Sequence, residues 1–512
     1  MQEKSTTYGE LSGYGEFTTR RTLTHALAVA GICLALLGCD SGVPPTPTPG
    51  TGKQPFAGAS LTLACPDTAL AKELLRQATG WSARTGGTVK LATNATEADI
   101  QIIRPAAVGA MTVRDEFLPI GAAIQATDHP GQWTRTMSVY RERLCGWGGD
   151  IRAVPLAGEG YVVVYRADRF DDAATKATYL AKYARPLAAP ATWEEFADIA
   201  EFFADRFGTS LPMPNPEPAL ALREFHMIAA CYDRPAFAIS GLSQKSDPTH
   251  PTDTQILSFH HDVETGKPRL TAPSFLAAAR WMKRMQRCRT PSTEPSDALM
   301  KGTATLALMS LRELGRVPRV GGAAPANLSL TLLPGTRYFF DNAGAEKLPT
   351  DRVRGVNFVP YFGGGGWVGG VRKGCTNPEA AFDFLAELAG PTRSADMLSD
   401  PEYGFGPFRN EHIEQSREGI WNRYGFDAER SKSLSDAIRQ YASLSMANPV
   451  YAPRGPDQAE ELADLATEIA RSSTGQITPE AALTAAQDAW LKRDAKHPAE
   501  TVKQWQRKAA GL

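Results

Sequence analysis

Leu61-Thr62-Leu63-Ala64-Cys65-Pro66-Asp67-Thr68 is the stretch on which the fold turns. Apolar residues alternate through residues 61–65 with the period of a strand, and Pro66-Asp67-Thr68 then opens an amphipathic helix over residues 68–80. Thr88-Val89-Lys90-Leu91 reads as a second strand and Ala98-Asp99-Ile100-Gln101-Ile102-Ile103 as a third. Strands separated by helices form parallel β-α-β units, so the fold class is α/β with a doubly wound sheet. Ligands of such sheets sit beyond the carboxyl ends of the strands, which brings Asp67 and Arg104 to a candidate site. Asp67 is also suited to capping the helix that follows it, the simpler of its two roles.

Further along, Gly158-Glu159-Gly160 joins residues 151–156 to the strand Tyr161-Val162-Val163-Val164-Tyr165, and glycines around an extended segment allow the dihedral changes of a hinge. A second irregular zone, residues 357–371, carries Tyr361, Phe362, the four glycines 363–366 and then Trp367. Thr192-Trp193-Glu194-Glu195 is a helix start with a capping box, which assigns Trp193 to structure, and Thr478 caps a helix opened by Pro479. Residues 259–269 are polar and turn-like, and 273–287 form a strong amphipathic helix.

At the amino end, an apolar run over residues 26–37 follows Arg20 and Arg21 and closes in Leu36-Leu37-Gly38-Cys39. A basic flank, a short apolar core and a small residue before the cut make a secretory signal, too short for a spanning helix. A cysteine directly after Gly38 makes the signal resemble a bacterial lipobox, whose thiol at Cys39 is acylated before cleavage. Residues 40–55 then hold five prolines and no apolar cluster, the composition of a tether with a reach of about 50 Å when fully extended. The rest of the 512 residues exceed one ordinary core and are expected to form two lobes. Fifty-five basic against 56 acidic residues leave a formal net charge of −1, a balance that points to neither nucleic acid nor an anionic surface as a partner. Seven cysteines become five once Cys33 leaves with the leader and Cys39 carries lipid, so at most two bridges are possible; no bridge at all is the alternative.

Several of these motifs, in order, resemble the extracellular solute-binding proteins of ABC importers, the large two-lobed class with many sugar binders. They are Ala98-Asp99-Ile100, Ala153-Val154-Pro155 with Tyr165-Arg166-Ala167-Asp168, Pro190-Ala191-Thr192-Trp193-Glu194-Glu195, Gly302-Thr303-Ala304-Thr305-Leu306, Leu333-Pro334-Gly335, the glycine-rich strand ending at Val371, and Asn377-Pro378-Glu379-Ala380-Ala381. The resemblance implies a periplasmic-binding-protein-like fold of type II, each lobe a doubly wound sheet flanked by helices. It divides the chain into a leader at 1–38, a tether at 39–56, one lobe at 57–155 plus 367–415, and a second at 156–366 plus 416–512. On that division Cys65 pairs with Cys145 and Cys231 with Cys288, leaving Cys375 reduced. It also implies a monomer that captures a small polar ligand, a sugar first, and delivers it to permease subunits. The protein would be held on the extracytoplasmic side of a membrane by lipid on Cys39. Other solutes (organic acids, polyamines, iron complexes) and a transporter-independent sensor lipoprotein are the alternatives. The 212–218 region and the insert at 243–261 depart from the common pattern and bear on the ligand more than on the fold.

Sugar recognition needs flat apolar faces and planar polar side chains. Trp367, after the glycine run, is the first stacking candidate, with a core tryptophan as the alternative. Glu159 is a ligand partner or a hinge carboxylate. Arg104 is suited to holding hydroxyls or a carboxylate, or to a salt bridge across the lobes. Tyr161, Tyr361, Trp147, Tyr451 and Arg454 follow. Enzyme motifs are thin: the glycine run lacks the lysine of a phosphate loop, no Gly-x-Ser-x-Gly elbow occurs, and His260-His261-Asp262 with Glu264 reads as a solvated loop. No metal and no cofactor are expected.

Overall fold

The computed structural model describes residues 54–121, 124, 131–237, 256–341, 343–349 and 355–512. The leader, Cys39, nearly all of the tether and residues 243–255 of the insert lie outside them. Eight strands make the two larger sheets: β1 (Ser60–Ala64), β2 (Thr88–Leu91), β3 (Ile100–Ile103), β4 (Val154–Ala157), β5 (Tyr161–Arg166), β6 (Leu306–Ser310), β7 (Leu328–Thr331) and β8 (Trp367–Val371). The first sheet has the order β2-β1-β3-β8-β4, with β1 parallel to β2 and β3. The second has the order β6-β5-β7. In each sheet one strand is reversed: β8 is antiparallel to β3 and β4, and β5 to β6 and β7. The reversed strand is in each case the one by which the chain enters from the other sheet.

Local chemistry explains the elements that position the cleft. The helix Thr68–Thr85 is capped by Asp67, whose carboxylate accepts from the Leu70 N–H at 3.0 Å, and it stops at Gly86 with φ 77°. Its buried face carries Leu70, Leu74, Ala78 and Trp81, and Trp81 donates to Asp383 at 2.7 Å. Asp99 ties β3 to β1 by accepting from both the backbone N–H and the hydroxyl of Thr62, at 2.8 and 2.7 Å. The expected capping box of Thr192 and Glu195 opens the helix Trp193–Phe207, and Trp193 packs edge-on against Trp281 in the core. Phe56, the last residue assigned to the tether, stacks on Trp81 with ring centroids 6.1 Å apart. The helix Ala428–Ala447 covers β5 and β7, whereas the last helix, Ala499–Ala509, returns to the hairpin at Gly146–Trp147. No helix among the described residues is long and apolar enough to cross a membrane.

Two expectations are corrected. The five cysteines of the body are all free thiols, so the pairs Cys65 with Cys145 and Cys231 with Cys288 do not form. Each thiol is placed by its own element: Cys65 Sγ donates to the Asp67 carbonyl at 3.3 Å, and Cys231 Sγ to the Val359 carbonyl at 3.6 Å. Cys145 is sealed at the end of a turn beside Arg454, and Cys288 closes the turn Gln286–Cys288. Burial raises the thiols of all five, Cys65 and Cys375 to about 11, which leaves little thiolate to oxidise.

The second correction concerns His260 and His261, which are 4% and 5% exposed rather than in a solvated loop. The turn itself is present, with Asp262 accepting from the Glu264 and Thr265 N–H groups. The helix Pro479–Asp494 lays Trp490 over His261 at 5.2 Å, and His260 turns inward against His226 and Phe275. Burial lowers His226 to about 3, so that imidazole is neutral. Among the described residues no cluster of metal-ligating side chains occurs.

Alkylation of the unfolded chain without reductant, followed by peptide mapping, should label Cys65, Cys145, Cys231, Cys288 and Cys375 in full. Labelling of any two of them only after reduction would restore a bridge.

Candidate functional site

Among the described residues, three segments run from one sheet to the other or to the helix Ala428–Ala447 that covers it, and all three meet at Glu159. The first, Gly158-Glu159-Gly160, runs from β4 to β5. The second is the glycine loop that leads into β8. Glu159 is 4% exposed, and its carboxylate accepts from the N–H groups of Gly363 and Gly365 and from the Tyr161 hydroxyl. The third passes through Gly406, which exchanges two backbone hydrogen bonds with Gly158 at 3.0 Å each. A Cβ on Gly406 would lie 2.2 Å from the Glu159 carbonyl carbon, so only glycine fits there. Burial pushes the Glu159 carboxyl up from the ordinary 4.5 to about 7, against the pull of the Gly363 amide, Tyr161 and the Gly365 amide.

Beneath this junction lies a cleft of two adjoining cavities of about 300 and 660 Å³, which share Asp67, Arg104, Glu217 and Trp367. Its lining comes from the carboxyl ends of strands in both sheets: Asp67 after β1, Arg104 after β3, and Ser310 with Arg312 and Glu313 at and after the end of β6. A second capping box builds this last corner, where Glu313 bonds the backbone N–H and hydroxyl of Ser310.

The charges of the cleft are mostly paired. Arg312 binds Asp67, joining the carboxyl end of β1 in one sheet to the carboxyl end of β6 in the other. Burial alone would raise the Asp67 carboxyl, but the bond from Arg312 and the Leu70 amide hold it below the usual range. Arg223 pairs with Glu313 at 2.8 Å and Arg316 with Glu294 at 2.9 Å. The antiparallel register sets Val368 opposite Ile103, and one step further Arg104 lies over the Trp367 ring, 3.8 Å from its centroid. Arg104 Nη1 donates to the Gly366 carbonyl at 3.1 Å.

Of the residues expected at the site, Trp367, Glu159, Arg104, Asp67, Tyr161 and Tyr361 line these cavities. Asp67 both caps its helix and pairs across the cleft. Trp367 is only 7% exposed and carries Arg104 on its ring, so it is a wall of the cleft and not an open platform.

Trp147, Tyr451 and Arg454 line neither cavity. Trp147 packs over Gly109, and Tyr451 pairs by its backbone with Phe362. Arg454 donates to the carbonyls of Arg143, Leu144, Gly146 and Ala509, a structural clamp. Arg223, Arg312, Glu313, Arg316 and Tyr403 line the smaller cavity and were not expected. The signal for Arg312 and Glu313 was present: Ser310-Leu311-Arg312-Glu313 is a capping-box sequence directly after a buried strand, the position where such sheets place ligands.

A family described as bacterial extracellular solute-binding protein matches residues 83–421. Comparison with curated protein sequences finds no match. Among solved structures, the GacH receptor of Streptomyces glaucescens, determined unliganded and with acarbose, superposes with a TM-score of 0.57 at 14% identity, over 86% of this chain and 99% of that one. An ABC transporter solute-binding protein from Agrobacterium radiobacter, in complex with ribitol, gives 0.58 at 14% identity, over 86% and 100%. The cyclic α-maltosyl-1,6-maltose binding protein from Arthrobacter globiformis gives 0.58 at 13%, over 87% and 98%. At these identities the likeness is one of fold, two-lobed and α/β.

The folded carboxyl of Glu159 binds its proton more tightly than the unfolded one. Its contribution to stability is therefore full below pH 4.5 and is lost as the pH rises to about 7. Denaturant titrations across that window should show this decline, and Glu159→Gln should flatten it; an unchanged slope in the variant would refute the assignment. Glu159→Ala strands two amides and a hydroxyl and should cost about 2–4 kcal/mol.

Proposed function

Because the chain belongs to the bacterial extracellular solute-binding proteins, we propose that it captures a carbohydrate in the cleft beneath Glu159 and passes it to the permease of an ABC importer. The observation that carries this reading is the cleft itself, lined from the strand ends of both sheets and crossed by the Asp67–Arg312 pair. A ligand there touches both sheets at once, which is the differential contact that closure requires. Planar polar groups suited to hydroxyls and aromatic walls at Tyr161, Tyr361 and Trp367 line the same space. Acarbose bound by the GacH receptor and ribitol bound by the Agrobacterium protein, both of this fold, lend it support.

The protein works by binding and closure, with no covalent chemistry of its own. Glu159, a buried carboxyl of the cleft, is spent on backbone amides and a tyrosine, which suits a hinge. The lobes comprise 57–157 with 367–415 around the first sheet and 161–366 with most of 416–512 around the second, the last helix, Ala499–Ala509, packing on the first. Ahead of them, the leader at 1–38 is removed, Cys39 carries lipid, and the tether holds a monomeric body outside the cytoplasmic membrane. The lipobox Leu36-Leu37-Gly38-Cys39 and the proline-rich stretch behind it support this part.

A thermal-shift screen of the protein against mono- and oligosaccharides, amino acids, polyamines and organic acids tests the reading. A saccharide at a hundred times its Kd stabilises the folded state by about 2.7 kcal/mol and raises the melting temperature. Stabilisation by another class, with none from any saccharide, would overturn the carbohydrate assignment.

A further inference from the structure

Four arginines line the smaller cavity, and three of them have carboxylate partners: Arg223 with Glu313, Arg312 with Asp67, and Arg316 with Glu294. Arg104 forms no ion pair among the described residues. Of its five N–H donors, the only bond is the one from Nη1 to the Gly366 carbonyl. The carboxylates nearest to hand are already engaged. Asp67 is bonded to Arg312 and the Leu70 amide, and Glu159 to Gly363, Gly365 and Tyr161. Glu217, the other acid of the wall shared by the two cavities, makes no bond to Arg104 and is exposed.

The guanidinium lies over the Trp367 ring, 3.8 Å from its centroid, and is bonded to the Gly366 carbonyl, so one side of it is shielded from water. A partly desolvated cation that lines both cavities, with donors unused, is a fork for a planar anion. Arg104 is within electrostatic reach of Asp67 and Glu159, but both are bonded elsewhere, so a ligand carboxylate gains charge-assisted bonds to its unused donors where a neutral hydroxyl gains less. The larger cavity, on the other side of the shared wall, is lined mainly by apolar residues such as Ile102, Ile103 and Leu462 and by the ring of Tyr361. The combined space exceeds that of a single sugar ring.

We propose that the ligand is an acidic saccharide, a uronate of more than one ring, whose carboxylate is received by Arg104 at the junction of the two cavities. This rests on the carbohydrate reading above and narrows it. The same argument makes Arg104 the residue that sets specificity for charge, with Trp367 as the residue that positions it.

Isothermal titration calorimetry on the full chain provides the test. The probes are the dimers and trimers of galacturonate, glucuronate and mannuronate, each beside its methyl ester, with maltose and maltotriose as neutral sugars. For at least one series the free acid should bind tighter than its ester by on the order of tenfold to a hundredfold. Arg104→Gln should bring the acid down to the affinity of the ester, and Arg104→Lys should keep part of the difference. Equal affinity of acid and ester in the unaltered protein, or binding of neutral sugars alone, would overturn the inference and leave the carbohydrate function standing. That comparison needs no variant, so it holds whether or not Arg104→Gln folds. Discrimination retained in a folded Arg104→Gln would also overturn it. Failure of every saccharide, charged or neutral, beside binding of an amino acid or polyamine, would remove the carbohydrate reading itself.

Discussion

The carboxylate of Glu159, closed in by two glycine amides and a tyrosine hydroxyl, is the interaction on which the arrangement of both sheets depends. A side chain from one connecting segment satisfies the backbone of the second, and the backbone beside it is paired with the third through Gly406. Buried backbone donors need partners, and glycine loops between sheets have no ladder of their own to supply them. One acid resolves this for the loop at residues 363–366. The cost is a carboxyl taken out of water, which shows in its weakened acidity. Glycine is required around it because the three chains approach closer than a β-carbon permits.

From that junction follows the composition of the cleft. A strand that enters a sheet from elsewhere runs against its neighbours, so its first residue lies beside their last. Tyr161 of β5 is thus level with Ser310 of β6, and Trp367 of β8 is brought beside Arg104. The cleft receives strand beginnings and strand ends together, aromatic from the reversed strands and charged from the others. Such a mixture suits a ligand with both ring faces and polar groups. The pairing of most of these charges with one another keeps the cleft from being a general ion trap.

Much of this was legible in the sequence because it rests on local chemistry. The strand and helix over residues 61–68, the capping box at Thr192 and Glu195, the cap at Thr478 and both glycine zones are written in neighbouring residues, and the structure contains each of them. Glu159 and Arg104 were identifiable from their place at a hinge and a strand end. What escaped depends on contacts between distant segments. His260 and His261 are polar in sequence and buried in fact because Trp490, more than two hundred residues later, covers them. The cysteines fit a plausible pairing by lobe, yet no spacing rule states which element each thiol faces. Tyr451 and Arg454 were drawn to the cleft by residue type alone, whereas their partners belong to residues 143–146, Phe362 and Ala509.

Arg454 has a consequence for how the chain is made. Its guanidinium gathers carbonyls from residues 143–146 and from the final helix, and Arg143 reaches the carbonyl of Ala510, 367 positions away. Contacts of such separation are slow to form and come late. A chain emerging from amino to carboxyl end therefore exposes this patch beside its first sheet until the helix Ala499–Ala509 is free to cover it. Completion of the first part of the molecule waits on synthesis of the last. Removing that helix would leave Arg454, Arg143 and the Gly148 amide without the carbonyls of Ala509, Ala510 and Lys508 to which they donate.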